Sequence, residues 1–153
     1  ADILFSDEDH IRGKRTRYDP WFKPQCNIYN LRSGNYLAHF LVIRTNLLKK
    51  IVAQEGKRPI HRIHRYDLIL RCVEQTSEVI HIPAVLYHSR KARLDSEGHP
   101  IARAADPLDE LALQNHLQRM HILADILPND YPDTLRIRYT VQGSPLVSII
   151  IPN

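Results

Sequence analysis

Cysteine, glycine and long apolar runs are scarce in this 153-residue sequence. The two cysteines, Cys26 and Cys72, form no metal or redox motif, which points to a reduced, cytosolic setting. With five glycines and no low-complexity tract, no internal repeat is visible. No apolar run approaches the ~18 residues that a membrane-spanning helix needs. Charge is not extreme either. A formal net charge of +4 allows a polyanionic partner without demanding one. What is present, 43% hydrophobic and 25% charged residues, suits one soluble domain long enough to bury a core, and its helical and strand patterns alternate as in an α/β chain. Nine histidines add groups that ligate metals or titrate near neutral pH.

The two ends are unusual. "DILFSDEDH" opens on a buried-strand pattern, Ile3 to Phe5, that runs straight into Asp7-Glu8-Asp9. "PLVSIIIPN" closes on a second apolar strand pattern with nothing after it. A core strand needs neighbours on both faces. Such ends fit either a small domain with terminal strands or, preferably, a piece cut from a longer protein. In the second case the unpaired apolar edges are expected to associate.

Between the ends, residues 10–36 are rich in Arg, Tyr, Asn and Pro without sustained period, which predicts a long functional loop. "AHFLVIR" predicts a strand. Thr45 caps a helix to about Glu55, stopped by Gly56, with Leu47, Leu48, Ile51 and Val52 on one face. "KRPIHRIHR" is a basic connection. A helix from about Tyr66 to Gln75 follows, presenting Leu68, Ile69, Cys72 and Val73. "SEVIHIPAVLYH" predicts a strand with Pro83 at its end or at a bulge. Residues 89–105 are polar. Asp106-Pro107, an N-cap followed by proline at the first helical position, starts a helix to about Met120. "LRIRYTV" alternates as a half-buried strand.

Asp7 and Asp9 set hard oxygen ligands at the end of a buried strand, suited to Mn²⁺ or Mg²⁺ carrying a diphosphate. Two adjacent carboxylates repel, and a divalent cation removes that cost. The spacing His61-x-x-His64, with His81 further on, lacks the cysteine or fixed partner pair of a zinc site. The run Lys57, Arg58, Arg62, Arg65 suits either a solvated loop or a phosphate or phospholipid contact. Charge alone, without interleaved aromatics, does not make a nucleic-acid-binding module.

Four blocks occur in one order: "FSDEDH", "YDPWFKPQCN", "LRSGNYLAHFLVIRTNLL" and "YDLILRCVEQTSEVIHIPAVLYHSR". Over about residues 2–90 this resembles the C-terminal, acceptor-side half of a family 2 glycosyltransferase domain of GT-A fold. The nearest likeness is to bacterial enzymes that build O-antigen and other surface polysaccharides. The resemblance implies a hexosyltransferase-like activity that moves a sugar from a nucleotide-diphosphate donor to a glycan or lipid-linked glycan acceptor. It implies a cytoplasmic location, peripheral at the inner face of the membrane. By position, Asp7 and Asp9 match the family's metal-binding Asp-x-Asp, and His88 matches a histidine that completes the metal site. Asn35, Tyr36 and His39 fall in the segment lining the sugar and acceptor pocket. Trp21 and Phe22 offer an apolar face for sugar stacking, or serve as buried anchors.

One departure bears on activity. The family's acidic pair, whose aspartate is the general base, is replaced here by His64 and Arg65, and arginine accepts no proton. Asp67 two residues on, or His64 itself, is the candidate base, although a carboxylate at a helix start also meets the helix dipole. The alternative is a degenerate transferase domain that holds glycan. The resemblance divides the chain into a half-domain (1–90), a linker with a helix near 106–120 and a strand (91–143), and the first strand of a second transferase domain (144–153).

Overall fold

The computed structural model describes residues 1–13, 15–54, 56, 62–90, 106–131 and 134–151. The architecture is α/β, as expected: helices cover a mixed sheet centred on the first strand. Strand β1 (Ile3–Arg12) has β4 (Val79–Ser89) parallel along one edge from Ile3 to His10. Its other edge is shared end to end by two antiparallel strands. β3 (Leu41–Ile43) pairs with Ile3–Phe5, and β2 (Thr16–Trp21) pairs with Glu8–Arg12. Ser6 and Asp7 lie in the interval between those two partners.

The strand expected to stop at Phe5 therefore continues through the whole acidic triplet. Its carboxylates are held in the sheet by partners from distant parts of the chain, which no local pattern reveals. The loop expected over residues 10–36 is largely ordered as the β1–β2 hairpin and helix α1 (Ile28–Ser33). Gly13, at φ +60°, makes the hairpin turn, and the Asn27 side chain caps α1 by accepting from the Tyr29 and Asn30 N–H groups. A bulge breaks the β1–β2 ladder between Glu8 and His10, with Asp19 opposite in the left-handed region at φ +52°.

Helix α2 (Thr45–Gln54) buries Leu47 and Ile51, and Gly56 follows it at φ +66°. Glu55 lies outside the described residues. Helix α3 (Arg65–Val73) buries Tyr66, Ile69, Leu70 and Cys72, so its inner face is rotated from the expected one and Leu68 is only partly covered. Pro83 sits at a bulge, as one of the two expectations had it: Ser6 faces Ile82 but Asp7 faces Val85, leaving Pro83 and Ala84 extra.

Helix α4 (Pro107–Arg119) begins as the sequence predicts, with Asp106 accepting from the Leu108 N–H at 2.9 Å. Although expected within a linker, α4 inserts Ala112, Leu113 and Leu117 into the main core with Phe5, Leu31, Leu37, Tyr66 and Leu70. An unexpected strand, β5 (Ala124–Leu127), pairs antiparallel with β6 (Arg136–Tyr139), the centre of the expected "LRIRYTV" strand. The final expected strand is absent over residues 144–151: Leu146, Val147, Ile149, Ile150 and Ile151 are exposed and unpaired there. Apolar content makes a strand only where an edge is available to pair with it.

Candidate functional site

Asp7, Glu8 and Asp9 are all buried on the central strand, and each has its own cationic or imidazole partners. Asp7 accepts from the Lys23 backbone N–H at 2.9 Å and from His81 Nε2 at 2.7 Å. Glu8 accepts from Lys23 Nζ at 2.8 Å and from His39 Nδ1 at 2.8 Å. Asp9 is bonded to Arg17 Nε and to His88 Nδ1. Three buried carboxyl groups in a row persist because every one of them is hydrogen-bonded.

The geometry follows from the strand arrangement. β4 brings His81 opposite Phe5, where the two rings stack 4.8 Å apart, and brings His88 opposite Asp9. β2 carries Arg17 to Asp9. The segment after β2 crosses the interval between β2 and β3, so that Lys23 spans Asp7 with its backbone and Glu8 with its side chain. The Lys23 side chain has 0% exposure, and its ammonium also donates to the Ala38 carbonyl at 2.9 Å. His39 reaches Glu8 from a left-handed backbone, φ +81°, at a strain cost of about 1–3 kcal/mol for a non-glycine residue. Its ring stacks on Tyr87 at 5.1 Å.

Burial works to raise the Glu8 carboxyl, but His39 and Lys23 outweigh it and hold the group below its usual range. Asp9 behaves alike: burial raises it, and His88 and Arg17 bring it below the ordinary aspartate value. Both stay ionised at neutral pH.

Among the expected site residues, Asp7, Asp9, His88 and His39 thus gather along one stretch of β1. Trp21 joins them, opposite Glu8 in the ladder, 46% exposed, with Lys23 Nζ 5.4 Å from its ring centre. Phe22 beside it is 69% exposed, so neither ring is a buried anchor. Asn35 carries a buried side-chain oxygen without a hydrogen-bond partner among the described residues. Tyr36 is buried and committed: its hydroxyl donates to the Gln25 carbonyl at 3.2 Å and accepts from the Asn27 N–H at 2.8 Å, and burial pushes it up to about 12.

Asp67 belongs to a different cluster. Only 6% exposed, it accepts from Arg71 Nε at 2.9 Å and Arg119 Nη1 at 3.2 Å between α3 and α4. Both of its oxygens are thus engaged by guanidinium groups. His64 takes the N-cap position of α3 without a capping bond, and His61 lies outside the described residues. Glu8, Lys23, Arg17 and His81 were not singled out as site residues by the sequence reading. The one local hint was the middle carboxylate of the triplet, since three adjacent buried acids require partners.

Asp9 offers a carboxylate oxygen suited to Mg²⁺ or Mn²⁺, and His88 an imidazole nitrogen of the kind transition metals take. Among the described residues no three His, Cys, Asp or Glu side chains are grouped to share a metal ion. Mg²⁺ is commonly held by only one or two carboxylates and takes its remaining ligands from water and substrate phosphates. No helix among the described residues is long and apolar enough to cross a membrane.

No family model matches the chain, and no solved structure matches it. Two curated proteins are similar to it. An "O-antigen biosynthesis protein RfbC" of Myxococcus xanthus is 36% identical over 152 residues, covering 98% of this chain and 12% of that protein. An "Uncharacterized protein y4gI" of Sinorhizobium fredii is 34% identical over 160 residues, covering 99% of this chain and 17% of that protein. The chain therefore spans less than a fifth of the length of either relative while aligning along almost all of its own.

Proposed function

We propose that this chain is the acceptor-side half of a GT-A glycosyltransferase domain, acting in surface-polysaccharide synthesis on a nucleotide-diphosphate sugar. The observation that carries the reading is the buried Asp7-Glu8-Asp9 triplet on the central strand, with an imidazole on each carboxylate. The similarity to a protein named for O-antigen biosynthesis supports the polysaccharide context. In this reading Asp9 and His88, with Asp7 beside them, hold Mn²⁺ or Mg²⁺. When bound, the cation supplies charge neutralisation for the departing diphosphate. Lys23 and His39 hold Glu8 in place between them. Trp21 and Phe22 offer exposed faces to a sugar, and the acceptor is a glycan or a lipid-linked glycan met at the cytoplasmic face of a membrane.

The test is Mn²⁺ binding by the whole protein, followed by the loss of the free-ion electron paramagnetic resonance signal, with and without a nucleoside diphosphate. Binding strengthened by the nucleotide and removed by Asp9→Asn and His88→Ala is expected. Nucleotide-dependent binding that survives both substitutions would remove the site assignment.

A second reading, a transferase-like module that holds glycan without turning it over, is favoured by one observation: Asp67 is locked between Arg71 and Arg119, and His64-Arg65 offers no carboxylate. General base catalysis is worth about 10²–10⁴-fold. Arg65→Asp in the whole protein separates the readings, since a gain in transfer rate of that order marks a lost base.

A further inference from the structure

One face of the β1–β2 ribbon carries rings and cations on both sides of the bulge after Glu8. Residues opposite each other in an antiparallel ladder share a face, and the pairs are Glu8 with Trp21, His10 with Tyr18, and Arg12 with Thr16. On that face Lys23 Nζ lies 5.4 Å from the Trp21 ring, the His10 and Tyr18 rings are 5.5 Å apart, and the Arg12 guanidinium lies 5.3 Å from the Tyr18 ring. Trp21 and Arg12 are exposed, and Tyr18 and His10 are half-buried. From Glu8 to Arg12 is four residues of strand, about 14 Å.

We propose that this face is a binding track for an acidic oligosaccharide, its sugar rings lying on Trp21 and Tyr18 and a carboxylate or phosphate group pairing with Arg12. The inference deepens the acceptor reading above, rests on it, and names the substrate class: a glycan carrying acid groups. Rigid amphipathic rings of this kind give large contact area to the C–H face of a sugar. A guanidinium already stacked on tyrosine is pre-organised for an anion.

Charge distribution favours a sparsely charged glycan over a nucleic acid. Glu8 stands at the inner end of the track, Asp19 sits 3.8 Å from His10 midway, and Arg17 is occupied by Asp9. A phosphodiester chain, with a charge at every unit, would meet those carboxylates. A glycan with its acid group at the outer end meets Arg12.

Trp21 is the only tryptophan in the chain, so its fluorescence reports on the track directly. The experiment titrates the 153-residue chain with a maltooligosaccharide ending in a single glucuronate, a neutral maltooligosaccharide of equal length, and oligodeoxythymidylate. A saturable response tightest for the glucuronate-ended glycan, and weakened by salt, is expected. Arg12→Gln, at an exposed position, should weaken that binding by about fivefold, the upper end for an exposed ion pair, while leaving the neutral maltooligosaccharide response unchanged. Tyr18→Ala should weaken both. The proposal is overturned by the absence of a saturable response to the glucuronate-ended glycan, by equal or tighter binding of either other ligand, or by indifference to Arg12→Gln. Nucleotide-dependent Mn²⁺ binding needs Asp9 and His88 but not Arg12. The track can therefore fail while the transferase reading stands, and the reverse outcome leaves glycan binding without transfer.

Discussion

Replacing Lys23 by Met tests whether the acidic triplet is stabilised as a network. Methionine keeps the length and apolar stem of lysine while removing the ammonium. That ammonium, fully enclosed, donates to Glu8 at 2.8 Å and to the Ala38 carbonyl at 2.9 Å. Removing one partner of a buried ion pair costs about 3–5 kcal/mol, because the other charge stays behind. Glu8 keeps both His39 contacts, at 2.8 and 2.9 Å, which places the loss at the lower end of that range. The orphaned carbonyl adds about 1 kcal/mol. A total of about 4 kcal/mol is a large part of the ~5–15 kcal/mol that holds a typical domain together. The assay is urea unfolding followed by far-ultraviolet circular dichroism, comparing Lys23→Met, Glu8→Gln and the double variant. The double variant should recover about 2 kcal/mol relative to the sum of the singles, as expected for residues in contact. A Lys23→Met cost below about 1 kcal/mol, or strict additivity in the cycle, would refute the network account.

Other expectations follow from the same kind of accounting. Burial raises the Glu74 carboxyl, but the His116 and Arg119 contacts outweigh it and leave it below the ordinary glutamate value. Its stabilisation is therefore full above the unfolded carboxyl range, near pH 4.5, and is lost as pH falls through the depressed folded value. Glu74→Gln should lower stability at neutral pH and flatten the acid limb of a plot of unfolding free energy against pH. An unchanged acid limb would contradict that assignment. Asp106→Ala removes the α4 cap and should cost about 1 kcal/mol in thermal or urea unfolding, with Asp106→Asn close to wild type. Leu113→Ala, in the wall shared by α3 and α4, should cost about 2.7–5 kcal/mol. A value under about 1 kcal/mol would mean that α4 is not part of the main core.

Local chemistry was enough for the α/β class, the capped start of α4, the helical period of α2, an irregularity at Pro83 and the run of acidic residues after Phe5. Each depends on residues within one or two turns: an aspartate before a proline, leucines on one side of a helix, a missing N–H in a strand. The partners of those acids were not local. Asp7 meets His81, Glu8 meets Lys23 and His39, and Asp9 meets His88 only because β4 lies parallel to β1 while β2 and β3 divide its other edge. The same long-range pairing carried β1 through three carboxylates, which strand propensity alone disfavours. Burying a charge is decided by what stands opposite it, and that is a property of the assembled sheet. The last residues make the converse point. "PLVSIII" has every local mark of a strand and forms none over residues 144–151, since a strand exists only when another backbone completes its hydrogen bonds.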